Sequence, residues 1–210
     1  MRVVVLTLVF GLAATSCQAA PEADFFGGMD EHPSEVAPYT VIKDAETYEV
    51  RVYEQTKWVC SEVIVAKPHP KDAMKMFWAL YHYISGENSK GLEMNMTAPV
   101  TLLDEEYEGS QKRCQTCFYL PAAHQQDPPM PSDQSVYIED RPRLRLAART
   151  FGGLVMTLSE WEAERKKLIA DLQKHGEETV DTSRHYGAMY DPPMKKLNRR
   201  NEVWYVFTRG

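Results

Sequence analysis

Cysteine is scarce in this chain, four in 210 residues, too few to build a small disulfide-held domain. Basic residues are outnumbered, 24 Lys and Arg against 30 Asp and Glu, for a formal charge of −6. A nucleic-acid-binding domain carries a basic excess, so that class of partner is set aside. The longest apolar run, residues 3–14, falls well short of the ~20 residues of a membrane-spanning helix, so no membrane span is expected. Glycine (11) and proline (13) occur in ordinary amounts and without period, which excludes collagen-like and low-complexity chains. What is there, 43% hydrophobic and 26% charged residues, is the composition of one globular domain with room for a tail.

That apolar run stands at the N-terminus. One positive charge at Arg2, the apolar residues 3–14 and small residues from Ser16 to Ala20 read as a secretory signal peptide, cleaved near Ala19 or Ala20. Residues 1–19 are therefore expected to be an export signal and the protein to be secreted. Residues 20–38, with Pro21, Gly27, Gly28, Pro33 and Pro38 among acids, read as an acidic flexible lead-in. The domain proper is expected over 39–210.

Removing the leader takes Cys17 and leaves Cys60, Cys114 and Cys117, enough for one disulfide and a leftover thiol. Cys114-Gln115-Thr116-Cys117 has the spacing of a redox motif but lies in a strand-like run. Residues three apart on a strand face opposite sides, and no helix start follows to activate a thiolate. The expected bridge runs from Cys60 to one of those two.

Period-two alternation marks strands at 48–53, 58–66, 113–120, 136–139, 144–151, 186–190 and 202–208, with an extended segment at 92–103. Residues 71–85 carry Ala73, Phe77, Leu80, Tyr81 and Ile84 at helical spacing, in a segment also rich in Met74, Met76 and Trp78. A second helix is expected to start near Ser159, with Glu162 completing a capping box, and to bury Trp161, Leu168, Ile169 and Leu172. The order strand-strand-helix-strand-strand occurs twice, which predicts an α+β fold of two β-β-α-β-β halves sharing one sheet or barrel. No repeat is visible at residue level.

Several segments together resemble the SOUL/haem-binding protein family. They are Tyr48-Glu49-Val50-Arg51, Lys57-Trp58-Val59, Met94-Asn95-Met96-Thr97-Ala98-Pro99-Val100-Thr101 and Asp127-Pro128-Pro129-Met130-Pro131. Val136-Tyr137-Ile138-Glu139-Asp140-Arg141 and Phe151-Gly152-Gly153 follow in order. The densest match runs from Tyr190-Asp191-Pro192-Pro193-Met194-Lys195 to Asn198-Arg199-Arg200-Asn201-Glu202-Val203-Trp204. The resemblance implies a distorted pseudo-two-fold β-barrel flanked by two helices. It implies reversible binding of haem or another tetrapyrrole at a surface cleft, in a carrier role without catalytic turnover.

A tetrapyrrole is a flat apolar disc with carboxylates, so its site takes apolar walls, cations at the rim and an optional axial ligand. Phe77, Leu80 and Tyr81 on the first helix are expected to border the cleft. His82 occupies the position that carries a cation in the family and is a candidate axial ligand. Met194, Lys195, Arg199 and Arg200, with Lys196 beside them, are expected at the carboxylate end, Lys195 at a family position implicated in that contact. The position of a histidine proposed as ligand in one family branch holds Val52 here. His69, His124 and His185 are expected in solvated loops. Asn95-Met96-Thr97 is a glycosylation sequon within a segment expected to be partly buried. Two other readings remain open. Helix 159–174 corresponds to a segment proposed in one branch to dock into a partner groove. A hydrolase on a related fold is the third, although no catalytic spacing stands out.

Overall fold

The computed structural model describes residues 35–155, 157–177, 179–192 and 195–208. The expected export signal, most of the expected lead-in and Met194 lie outside the described residues. Period-two segments become β1 (Glu35–Val36), β2 (Tyr39–Asp44), β3 (Glu49–Tyr53), β4 (Thr56–Val65), β5 (Thr97–Ala98), β6 (Val100–Glu106) and β7 (Lys112–Tyr119). They continue as β8 (Val136–Arg141), β9 (Leu144–Phe151), β10 (Val180–Met189) and β11 (Asn201–Phe207), with helices α1 (Pro70–Ile84) and α2 (Leu158–Lys174). Pro99 splits the expected extended segment into β5 and β6, and β1 pairs in parallel with β5. Among the described residues no helix is long and apolar enough to cross a membrane.

Nine strands form one sheet in the order β2-β3-β9-β11-β10-β6-β7-β4-β8, antiparallel at every pairing. The two halves predicted from element order are β3-β4-α1-β6-β7 and β8-β9-α2-β10-β11. They meet at β6–β10, and the first strand of each half pairs with the second strand of the other, β3 with β9 and β8 with β4. The α+β fold of two halves with two helices is as expected, but the sheet of the expected distorted barrel does not close: β2 and β8 are its edges, and among the described residues no pairing joins them. Closure needs edge strands that turn one face inward, and β2 has exposed side chains from Thr40 to Asp44 and a register shift between Val41 and Lys43.

Alternation divides the core into three. One face of the sheet holds Tyr53, Trp58, Cys60, Tyr119, Leu146, Tyr186 and Trp204. The opposite face packs under α1 through Val59, Val100 and Phe118, and under α2 through Val50, Ala147, Val203 and Tyr205. Each helix starts where a side chain satisfies free amides. His69 caps α1 with Asp72 in return and Pro70 at the first position. The Ser/Thr-x-x-Glu pattern occurs twice before α2, and the helix starts at the first copy, Thr157 with Glu160, rather than at Ser159. Gly187 of β10 lets α2 approach closely: a Cβ there would lie 3.1 Å from the Trp161 ring, tighter than ordinary contact.

One interaction ties sequence-distant strands across this core. Glu202, 0% exposed, accepts from both terminal nitrogens of Arg51 (2.7 and 3.1 Å). It also accepts from Arg200 (2.9 and 2.7 Å), Trp204 Nε1 (2.7 Å), Tyr190 Oη (3.0 Å) and Thr150 Oγ1 (3.2 Å). Burial works against ionisation of Glu202, and the Arg51 and Arg200 guanidiniums overcome it, holding the carboxyl below its usual range. Its contribution to stability is therefore full above the ordinary carboxylate pKa and is lost as pH falls through the lowered one. Replacing one partner of a buried pair strands the other, at about 3–5 kcal/mol. Glu202→Gln should lower the urea-unfolding free energy by that amount; a loss within about 1 kcal/mol would show the network to be no more than a surface pair.

Candidate functional site

The residues expected to bind ligand separate into two groups. On α1 the inward stripe is Met76, Leu80, Tyr83 and Ile84, not the stripe through Phe77 and Tyr81. Leu80 is fully buried in the α1 core and borders no cleft. Tyr83 turns inward because its hydroxyl donates to Pro129 O at 2.8 Å, which removes the cost of burying it. Phe77, Trp78 and Tyr81 are left half-buried as an aromatic row, with Phe77 and Tyr81 against the margin of the α1 core. Phe77 meets Phe118 edge-on at 5.3 Å and stacks with Tyr81 at 6.5 Å, while Trp78 contacts both and lies 6.5 Å from the His82 ring. His82 is exposed.

The basic cluster lies in the loop between β10 and β11. Lys195 pairs with Asp191. Arg199 is buried and donates to the carbonyls of Pro192, Lys195 and Asp191 at 2.6, 2.8 and 3.0 Å. Arg200 donates to Glu202 and to Tyr39 Oη and stacks 4.0 Å over the Tyr190 ring. Arg199 and Arg200 thus hold the loop's own shape, and Lys195 is the exposed cation of the three. Met189, the last residue of β10, packs against the α1 cluster; Met194 falls outside the described residues. Val52 is buried, as a core position of β3.

A concavity opens instead on the other helix. Trp161 seats α2 on Gly187, and two residues before Gly187, on the same face of β10, lies His185. Arg165, Lys166, Ile169, Ala170 and Gln173 of α2 form one wall of an open groove of about 550 Å³, with His185, Tyr205 and Asp104 among the strand residues facing them. His185, expected in a solvated loop, is a strand residue only 9% exposed. Neither ring nitrogen has a hydrogen-bond partner; Nε2 lies 3.9 Å from Asp104 Oδ2. Burial, followed by the Arg165 charge, pushes its pKa down to about 4, so the ring is neutral at physiological pH. The run Asp181-Thr182-Ser183-Arg184-His185 is too polar to read as strand by alternation, and β10 was therefore expected to begin at Tyr186. The signal available was Gly187 itself, a close-approach residue on the same strand face as the histidine two residues before it.

The disulfide joins Cys60 to Cys117, directly opposite each other on β4 and β7. Cys114 is the leftover thiol, on the other face of β7 as its spacing requires. Asn95 of the sequon is exposed, while Thr97 is buried and donates to Tyr119 O at 2.6 Å.

The sequence model of the family described as "SOUL heme-binding protein" matches residues 34–206. The chain belongs to the SOUL heme-binding protein family. Human heme-binding protein 2 is 33% identical over 84% of this chain and 85% of its own length. Mouse heme-binding protein 1 is 35% identical over 86% and 94%. Among solved structures, the C-terminal domain of EcmrR superposes with a TM-score of 0.55 at 12% identity, over 80% of this chain and 96% of that one. A hydrolase from Listeria innocua gives 0.50 at 11% identity, over 78% and 93%; both likenesses concern the fold alone. The SOUL segments at Glu49-Val50-Arg51 and Arg200-Asn201-Glu202 are the two sides of the buried ion network, so the most recognisable residues of this SOUL chain build its core.

Burial, with Asp104 nearby, pushes the Cys114 thiol up to about 11. At pH 8 the reactive thiolate is then about one molecule in a thousand. Iodoacetamide should label Cys114 slowly at pH 8, about tenfold faster per pH unit until the pH reaches the thiol's pKa, and should leave Cys60 and Cys117 unlabelled without reductant. Rapid labelling at neutral pH would contradict this environment.

Proposed function

We propose that this protein is a secreted, non-catalytic carrier or buffer of haem and related tetrapyrroles, bound reversibly. The observation that carries the reading is membership of a family described as heme-binding, with relatives of that name over most of the chain. Haem supplies a flat conjugated surface, two carboxylates and an iron centre that accepts a nitrogen ligand. The residues present fit those needs: the half-buried rings of Phe77 and Tyr81 on α1, the imidazole of His82 exposed beside them, and the exposed Lys195. The sequence puts the disc against Phe77, Leu80 and Tyr81; with Leu80 buried in the core, this reading keeps Phe77 and Tyr81, with Trp78 beside them, His82 at the end of the row and Lys195 reaching a carboxylate from the β10–β11 loop.

Secretion is supported by the N-terminal leader and by a bridge between Cys60 and Cys117 suited to an oxidising compartment. Glycosylation at Asn95 is compatible with its exposure. The partner-docking reading of α2 is weakened because Trp161, Leu168 and Leu172, the anchors it would need, are buried in the domain's own core. The hydrolase reading has only the fold-level likeness behind it.

The full chain, expressed through a eukaryotic secretory route, should appear in the medium with a new N-terminus near Pro21. Titration with micromolar hemin should shift the Soret band and quench tryptophan fluorescence to a one-to-one end point. An unchanged Soret band with unquenched tryptophans would overturn the haem reading, and retention of the leader in the cell would overturn secretion.

A further inference from the structure

Cys60 and Cys117 stand face to face on β4 and β7, both 0% exposed, and a third donor is aimed at both. Glu139 of β8 places Oε2 3.4 Å from Cys60 Sγ and 3.9 Å from Cys117 Sγ. The donor atoms of the three residues all lie within 4.8 Å of one another. A tetrahedral zinc ion, about 2.3 Å from sulfur and about 2.0–2.2 Å from a carboxylate oxygen, holds such ligands about 3.5 Å apart. The two carboxylate distances bracket that value. The bridge by itself explains neither the carboxylate nor its neighbour. A bridged sulfur has no S–H to donate, so Glu139 gains no hydrogen bond by facing it. Beside it, Gln115 is 1% exposed and shares the strand face of Cys117, two residues on. Its Nε2 donates to Tyr137 Oη at 2.7 Å and reaches Glu139 Oε1 at 3.4 Å, while its Oε1 has no partner. A buried acceptor left unpaired marks a place where something else completes the site.

We propose that in the thiol form of the chain Cys60, Cys117 and Glu139 hold a zinc ion, with a water in the fourth position that donates to Gln115 Oε1. A newly made chain is in this form until an oxidant acts. Two thiolates select a thiophilic cation over calcium or magnesium, which take oxygen ligands. Charge balances within the cluster. Two thiolates and a carboxylate face the divalent ion and the Arg141 guanidinium, which is 5% exposed and lies 2.9 Å from Glu139 Oε2. Buried charges are tolerated when they are paired in this way. The site differs from the haem reading in ligand and in residues, and it lies on the sheet face opposite the one under α1. Metal and bridge exclude each other. Zinc binding passes the two thiol protons to water. When a small-molecule disulfide acts as oxidant, its S–S bond breaks and the Cys60–Cys117 bond forms. Two electrons pass from the cysteine sulfurs to the two small thiolates that leave, and the zinc ion is released.

The full chain, reduced with a phosphine in denaturant and refolded without oxygen, tests the site with Co2+ and Zn2+ alone as probes. One Co2+ per chain should bind and give the sulfur-to-cobalt charge-transfer bands and visible d–d bands of a tetrahedral thiolate site, and Zn2+ should displace it. The oxidised chain should show neither set of bands. Cys60→Ser and Cys117→Ser should each abolish them, whereas Cys114→Ala, altered on the other face of β7, should bind as the wild type does. Disturbing even a supporting partner of a metal ligand weakens binding about 10–100-fold, so Glu139→Gln, which keeps both cysteines, should raise the cobalt Kd at least about tenfold. Near-ultraviolet dichroism unchanged from the wild type shows that each variant has refolded. A thiol form that refolds only when Zn2+ is added supports the site as well, since the binding free energy is then folding free energy. A refolded thiol form that takes up no cobalt overturns the proposal, as does one that stays unfolded with either ion. Equal uptake by the oxidised chain, by Cys60→Ser or by Glu139→Gln overturns it too.

Discussion

The contact between Glu202 and Arg51 is the constraint on which much of the rest depends. A carboxylate with no exposure is tolerable only when donors surround it, and assembling those donors determines the neighbourhood. Arg51 comes from β3, Thr150 from β9 and Trp204 from β11, so three strands must sit in one register for the network to close. Tyr190 and Arg200 come from the two ends of the β10–β11 loop, so the loop is drawn in over the same carboxylate. Arg199 then threads between loop carbonyls. A basic cluster that looks in sequence like a waiting anion site is in good part the fastening of a loop.

The two halves show that the same architectural position accepts different chemistry. Glu49-Val50-Arg51 on β3 and Glu139-Asp140-Arg141 on β8 are equivalent. Each arginine donates through Nε to the glutamate two residues before it, at 2.6 and 3.0 Å, and each stacks on an aromatic ring, Tyr39 or Trp58. The strand registers make the cross-strand pair Cys60–Cys117 the counterpart of Thr150–Glu202. One half closes its interior with a covalent bridge, the other with a charged network. Glu139 holds Arg141 as its first-half counterpart, Glu49, holds Arg51, and it also lies 3.4 Å from Cys60 Sγ.

This equivalence explains what could be read from the residues and what could not. Strands with alternating apolar positions, such as Leu144–Phe151, stood out because alternation is a local property, and the doubling of element order followed. The E-x-R repeat was hidden because two short charged motifs carry no periodicity and become alike only once their strands are superposed. On α1 the apolar spacing picks out Leu80 and Ile84, which are buried, but it takes Phe77 and Tyr81 where Met76 and Tyr83 turn inward, because the four are similarly apolar; the Pro129 carbonyl, distant in sequence, decides for Tyr83. Whether the sheet closes depends on what its last strand buries, and β2 buries little. His185 was lost for a related reason: its strand owes its place to pairing with β6 and β11 on both sides, not to its own hydrophobicity.

The same comparison shows why a groove opens on one helix and not on the other. Counted from the first helical residue, Phe77 of α1 and Arg165 of α2 hold corresponding places, as do Tyr81 and Ile169. In the first half the aromatic ring fills the space between helix and sheet by packing on Phe118. In the second half a guanidinium stands there, and it cannot enter an apolar contact without losing its water. The space beside it stays open, and the histidine on the floor is buried by the flanks of the groove rather than by a plug. Filling the first position with carbon seals a core, whereas placing charge at the second keeps the space beside the helix open to water.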